Sequence, residues 1–247
     1  MIRDRKAWLQ GPAATCNSPA EALERPLRLI LLGAPGVGKG TQAEMLSAKV
    51  GACHLSTGDI FRAAKSLNGC ERTPALNAAL QYMRRGDLVP DETVLALVSE
   101  RVNCLKCQGG FLLDGFPRTV AQAEALEGLL KKHRLRLDGV VSYDLPIEQI
   151  VARLSGRRTC PQCKAVFHLQ ALPPKVEGVC DHCAATLYQR EDDRPESVRV
   201  RMQAYETSTL PLMDFYQTRG LLRSISAEGT PEEICARTLR FLQNGAN

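Results

Sequence analysis

Two sets of residues in this chain have the types and the spacing to do chemistry. The first is Lys39 in GAPGVGKGT, Gly33 to Thr41, where four glycines fall within nine residues. Without Cβ atoms such a loop can turn its own N–H groups onto an anion, and a helix starting at its end adds the positive pole of its dipole. Lys39 then supplies a point charge toward the β- and γ-phosphates of a nucleotide. The generic form of the loop has Ser or Thr directly after the lysine as a Mg²⁺ ligand, whereas here Gly40 stands there and Thr41 follows. The second set is Cys160, Cys163, Cys180 and Cys183, in the pattern C-x₂-C-x₁₆-C-x₂-C. It fits four thiolates around one tetrahedral Zn²⁺, which leaves no open position and makes the metal structural. Disulfides and an iron–sulfur site are the alternatives for such a set. His168 and His182 are surplus to it, and Cys104 and Cys107 form a third C-x-x-C without a partner pair, read as ordinary thiols at a helix end.

Cations form a more dispersed signal. Arg62, Arg118, Arg153, Arg157, Arg158, Arg190, Arg199 and Arg201 join Lys39, several of them at expected element ends or flanking the cysteines. Phosphoryl transfer asks little covalent chemistry of a protein; it asks for alignment and for charge neutralisation from several directions. The planar fork of arginine binds phosphate oxygens bidentately. Asp114 ends the apolar run Phe111, Leu112, Leu113, where it can hold Mg²⁺ through water. Gln122 shares a helix face with Arg118, and its amide can read a purine edge.

These residues require elements that bring them together. Leu29 to Leu32 form a strand into the loop, and a helix follows it. Cys53 to Leu55 form a second strand, leading into STGDIFR, where Ser56 or Thr57 caps a helix. Residues 63–103 read as short helices broken at Thr73-Pro74 and Gly86, with Asp91 as an N-cap and Leu88 and Val89 as an apolar lip. The third strand ends at Asp114, Gly139 to Leu145 form the fourth with Pro146 opening a helix, and Leu221 to Ala227 form the fifth. Between Arg157 and Asp193 helical periodicity disappears and a small β-rich knuckle is expected, after which Asp193 caps a long helix. The last helix starts at TPEE, with Thr230 and Glu233 as a capping box. Regular βα alternation implies a parallel sheet wrapped by helices, with ligands beyond the carboxyl ends of its strands.

The totals are compatible with one α/β unit: 247 residues, 44% hydrophobic, net charge +5. No apolar run reaches the roughly 18 residues of a membrane span, and residues 1–26 lack a secretory apolar core and are expected to be a flexible extension. A soluble, cytoplasmic monomer is the resulting expectation. A zinc-ribbon nucleic-acid binder is a reading from another class. It needs a basic, aromatic stripe, and residues 160–183 offer Phe167 alone with balanced charge, so no nucleic-acid partner is expected.

Taken in order, GAPGVGKGT, STGDIFR, DGFPRT with Gln122, GRR before the knuckle and QREDD followed by Arg201 resemble the adenylate kinases of the long, zinc-lid type, from about Leu27 to the last helix. The resemblance implies an α/β fold of the P-loop NTPase type, a five-stranded parallel sheet with an NMP-binding helical subdomain at 56–89 and a zinc lid at 157–193. It implies the reaction MgATP + AMP ⇌ 2 ADP, with Mg²⁺ and structural Zn²⁺ as cofactors. Gly36, Val37, Gly38, Lys39, Gly40 and Thr41 would hold ATP phosphates, and Arg157, Val166 and Phe167 would line the ATP side. Thr57, Arg62, Asp87, Leu88, Val89, Gly115, Phe116, Pro117, Arg118 and Gln122 would form the AMP side. Arg190 and Arg201 would bridge to the transferred phosphate, with Arg153 and Arg158 in support; Asp114, Asp192 and Asp193 match acidic positions. Kinases of other nucleotides, such as GTP:AMP or UMP/CMP kinases, are the nearest rivals. The stretch Cys70 to Asn77 departs from the family wording, Glu228 to Thr230 matches it approximately, and residues 1–26 have no family counterpart.

Overall fold

Leu29, Ile30, Leu31 and Leu32 present no polar face, and the chain buries all four in the middle of a parallel sheet. The computed structural model describes residues 8–9, 11, 25–64, 72–85, 89–163, 165–190 and 193–244. Strand β1 (Leu27–Gly33) lies at the centre, with β3 (Gly110–Asp114) on one side and β4 (Gly139–Asp144) on the other. Beyond them lie β2 (Cys53–Ser56), next to β3, and β7 (Leu222–Ser226), next to β4, and every pairing is parallel. The two-residue period of a strand sorts the core. Ile30 and Leu32 face one cluster with Phe111, Leu113 and Val140, while Leu29 and Leu31 face another with Leu112, Val141 and Tyr143.

Helices cover both faces. On the second cluster lie α1 (Lys39–Val50), through Ala43, Leu46 and Val50, and α10 (Pro231–Asn244), through Ile234 and Cys235. On the first lie α2 (Thr57–Ala64), α3 (Pro74–Arg85), α4 (Asp91–Ser99), α6 (Val120–Lys132) and α9 (Leu212–Gln217). A short α5 (Val102–Leu105) precedes β3, and Cys107 after it brings its Sγ 2.7 Å from that of Cys53. The reciprocal capping box at Thr230 and Glu233 is present, and Ser56 Oγ accepts from Asp59 N at the start of α2.

The knuckle stands apart from the main sheet. Helix α7 (Ile147–Gly156) passes directly into β5 (Arg157–Thr159), which pairs antiparallel with β6 (Val166–His168). Single bridges add Tyr188, Leu172, Val179 and Thr186 to it. Its own small core is Cys160, Phe167, Cys180 and Leu187. The return is α8 (Pro195–Ala204), which runs into a π-helical turn at Tyr205–Thr209.

Of three expected helix starts, two shift for one reason. Asp91, Pro146 and Asp193 were expected to cap or open helices; the N-caps of α4, α7 and α8 are Pro90, Pro146 and Arg194, with Asp91 already helical and Pro146 one residue before its helix. The two carboxylates are engaged by distant side chains instead. Residues 1–26 are expected to be a flexible extension, and one of their described residues lies in the core. Trp8 is fully buried in the first cluster, because a large ring with one polar handle finds both an apolar slot and a carbonyl there. Residues 1–7, 10 and 12–24, together with Cys70, Gly86, Asp87, Leu88 and Asp192, lie outside the described residues.

Gly110 is the tightest point of the sheet. Its φ is +84°, and a Cβ added there would sit 2.0 Å from the carbonyl oxygen of Leu27, its register partner on β1. Gly110→Ala is therefore expected to cost at least about 3 kcal/mol. A thermal melt should show the midpoint falling by roughly 6–12 °C; an unchanged midpoint would contradict the register.

Candidate active site at the glycine-rich loop

The loop between β1 and α1 is held by its own backbone and by two side chains. Val37 N donates to Ala34 O, and α1 begins at Lys39 with Gly38 as its N-cap. Gly36 has φ +86°, and an added Cβ would meet Leu154 Cγ at 2.5 Å, so helix α7 packs where only glycine fits. Lys39 Nζ donates to Gly33 O at 2.7 Å and to Ala34 O at 2.9 Å, folding the side chain across the loop. From α7, Arg153 donates to Val37 O (3.1 Å) and to Ala227 O (2.9 Å), tying the loop to the exit of β7. Arg153 is thus a brace of the loop. Thr41 is exposed on the first turn of α1.

Asp114 sits at the carboxyl end of β3, beside β1, with its Oδ2 3.3 Å from His54 Nε2. Burial alone would raise its carboxyl, but hydrogen bonding and charge from His54, with Lys39 and Arg62, outweigh that and hold it at about 2. It is therefore ionised at any working pH. Lys39 moves the other way. Desolvation pulls its ammonium down to about 8; Asp114 opposes this, while Arg118, Arg201 and Arg157 add to it. Three arginines from three different segments thus act on one lysine.

The segment after β3 meets the segment after β2. Thr57 Oγ1 donates to Gly115 O at 2.9 Å, and Arg118 Nε donates to the same oxygen at 2.9 Å. Phe116 is buried and joined to Pro117 by a cis bond, and Arg62 pairs with Asp59 on its own helix. Thr209 on the π-helical turn donates to Arg118 O. Gln122 is buried, with Oε1 accepting from Arg118 N (2.8 Å) and Nε2 donating to Asp91 Oδ1 (2.7 Å). The other oxygen of Asp91 accepts from Thr119 Oγ1, the cap of α6. The Gln122 amide is thus committed within the protein, and a purine edge would have to take over these partners. Val89 packs against the first core cluster.

On the knuckle side, Arg157 makes a two-pronged pair with the buried carboxylate of Asp193, its Nε at 2.7 Å. Arg201 approaches the same carboxylate at 3.6 Å. Arg190 Nε donates to Thr159 Oγ1, and Arg158 donates to Ser155 O. Arg199 is exposed on α8. Phe167 points into the core of the knuckle, and Val166 is half-buried beside it.

The four sulfur atoms of Cys160, Cys163, Cys180 and Cys183 lie within 4.8 Å of one another. Two of the separations, Cys160–Cys183 and Cys163–Cys180, are 3.4 Å. Tetrahedral zinc with bonds of about 2.3 Å places its sulfurs about 3.8 Å apart, so the donor set and its spacing fit Zn²⁺. His182 is exposed, and His168 Nδ1 accepts from Gln170 N and Ala171 N, so neither histidine belongs to the cluster.

A family model described as adenylate kinase matches residues 31–221. The adenylate kinase of Carboxydothermus hydrogenoformans is 48% identical over 217 residues, covering 88% of this chain and 100% of its own. That of Thermodesulfovibrio yellowstonii is 47% identical over 208 residues, 84% of this chain and 95% of its own. That of Streptomyces coelicolor is 45% identical over 218 residues, 88% and 99%. The chain belongs to the adenylate kinase family. Adenylate kinases are phosphotransferases that move a phosphoryl group reversibly from ATP to AMP, giving two ADP, with Mg²⁺ accompanying ATP, and the fold and the cysteine cluster agree with the long, zinc-lid type.

Asp91, His54, Thr119 and Thr209 join the site without having been singled out for it. Asp91 gave the one signal, an acidic residue before a helix, and it pointed to a cap. The lowered Lys39 ammonium gives a pH prediction. A polyphosphate favours the protonated lysine, so the affinity for ATP is full below about pH 8 and is lost as pH rises through that value. Calorimetric Kd values for ATP should weaken about tenfold from pH 7 to pH 9; a flat profile would remove Lys39 from the phosphate site. Stripping zinc with a chelator and a thiol reagent should release one metal ion per chain and lower the melting midpoint. Metal-free protein that stays folded should still turn over.

Proposed function

We propose that this chain carries out MgATP + AMP ⇌ 2 ADP as a monomer in the reducing cytoplasm that its four metal-site thiols require. ATP lies along Gly36, Val37, Gly38, Lys39, Gly40 and Thr41 with its adenine toward Arg157 and the backbone of Val166 and Phe167. AMP lies against Thr57, Arg62, the 87–89 stretch, Gly115 to Arg118 and Gln122. The observation that carries this reading is the electrostatic convergence of Arg118, Arg157 and Arg201 on Lys39, next to the ionised Asp114. A polyanion between them relieves a repulsion that the free protein sustains.

An oxygen of the AMP phosphate attacks the γ-phosphorus of ATP in line. One P–O bond forms while the bond to the β-phosphate bridging oxygen breaks, and ADP departs with that electron pair. Lys39, Arg118, Arg157, Arg190 and Arg201 neutralise charge on the transferred group, with Arg153 and Arg158 in support. Asp114 would hold Mg²⁺, which would supply positive charge toward the phosphate oxygens. Segments 56–89 and 157–193 close over AMP and ATP and exclude water, a competing acceptor; opening of the lid then limits turnover. The self-contained core of the knuckle supports its movement as a unit.

Assaying ADP formation from MgATP with AMP, GMP, CMP, UMP or no acceptor tests this. Turnover is expected with AMP alone. Turnover with another base would transfer specificity away from Gln122, and ATP loss without acceptor would mean that the flaps do not exclude water. Arg118→Ala is expected to lower kcat by about a thousandfold, and near-wild-type turnover would remove Arg118 from the site.

A further inference from the structure

Trp8 lies ahead of the family's first strand, yet it is fully buried. Its indole N–H donates to Ser56 O at 2.9 Å. Ser56 is the last residue of β2, immediately before Thr57. Its own carbonyl is received in turn: Arg101 Nε donates to Trp8 O at 2.7 Å. Arg101 is buried as well, and its NH1 donates to Leu97 O on α4 and to Glu100. Further along, Gly11 lies beside Thr73, whose Oγ1 accepts from Leu76 N in the first turn of α3. The indole shares its cluster with Leu55, Ile60 and Ala64 at the start of the AMP side and with Val94, Leu97 and Val98 on α4. One short stretch of chain therefore ties together β2, α3 and the α4–Arg101 corner, at the root of the segment that carries Thr57 and Arg62. The Carboxydothermus relative is matched over all of its length by 88% of this chain, so the chain carries sequence which that relative lacks.

We propose that Trp8 is a positioning residue for the acceptor side: it acts as an internal strap that holds Ser56–Thr57, and through it the AMP site, in register. The strap acts through Thr57, whose hydroxyl reaches Gly115 O beside Arg118. Among the described residues, the hydrogen bonds of Trp8 run to Ser56 and Arg101 and Gly11 lies beside Thr73, all away from the glycine-rich loop and the knuckle, so the strap separates the two substrates. This inference rests on the assignment of Thr57 to AMP.

The test uses the full-length, zinc-loaded chain with Trp8→Phe and Trp8→Ala, measuring KM for AMP at saturating MgATP and KM for ATP at saturating AMP. Trp8→Ala is expected to raise KM for AMP about tenfold, the scale of one lost buried hydrogen bond with its packing, while KM for ATP stays within about twofold. Trp8→Phe keeps a ring but cannot donate, and should raise KM for AMP about threefold. If Trp8→Ala does not fold, Trp8→Phe decides. Unchanged KM for AMP, or both constants rising together, would overturn the strap and leave a merely structural tryptophan. A rise in KM for ATP alone would overturn it together with the placement of AMP at Thr57. Failure of the wild type to use AMP would instead strike at the proposed reaction. Trp8 is the only tryptophan, so the wild type's indole emission should resist acrylamide; free quenching would show that the segment is not docked.

Discussion

The protein must hold several positive charges close together before any substrate arrives. Lys39 loses solvent inside the loop and feels three arginines, and this repulsion would open the site if nothing opposed it. Asp114 opposes it with its charge, and two further arrangements act with it. Gly33 O and Ala34 O accept from the ammonium, so the glycine-rich loop offers carbonyls to its own lysine. Asp193 offers a buried carboxylate to Arg157 and Arg201, occupying guanidinium donors within the protein. Both arrangements are internal partners for cations, the kind of contact a bound polyanion would exchange under the proposed function.

The same economy appears around Gln122. Gln122 is oriented by Arg118 N on its oxygen and by Asp91 on its nitrogen, so the amide cannot flip without losing both. Asp91 in turn joins α4 to α6 through Thr119, so the direction in which Gln122 points depends on how those two helices pack. The site is a set of side chains whose partners lie on other elements, and its precision comes from the sheet and helices that fix those elements.

This explains which parts could be read from the sequence. The glycine-rich loop, the cysteine spacing, the capping box at Thr230 and the alternation of strands and helices are local patterns, each complete within a short window. Asp91 and Asp193 resemble caps locally, because an acidic residue before a helix looks the same whether it serves the backbone or a distant side chain. Their partners, Gln122 and Arg157, lie on other elements. Trp8 is a similar case, since no pattern in residues 1–26 marks a ring that docks beside Ser56. The resemblance puts Phe167 on the ATP side, whereas its ring belongs to the core of the knuckle.

The strand order carries a consequence for how the chain is made. β1 is the earliest strand, and it is flanked by β3 and β4, pairing Leu27 with Gly110 and Leu29 with Gly139. During synthesis its apolar residues emerge long before either neighbour exists, and the last edge, β7, emerges near the end of the chain. Such non-local pairing makes folding slow and leaves Leu29 to Leu32 exposed to association with other chains until Gly139 has left the ribosome.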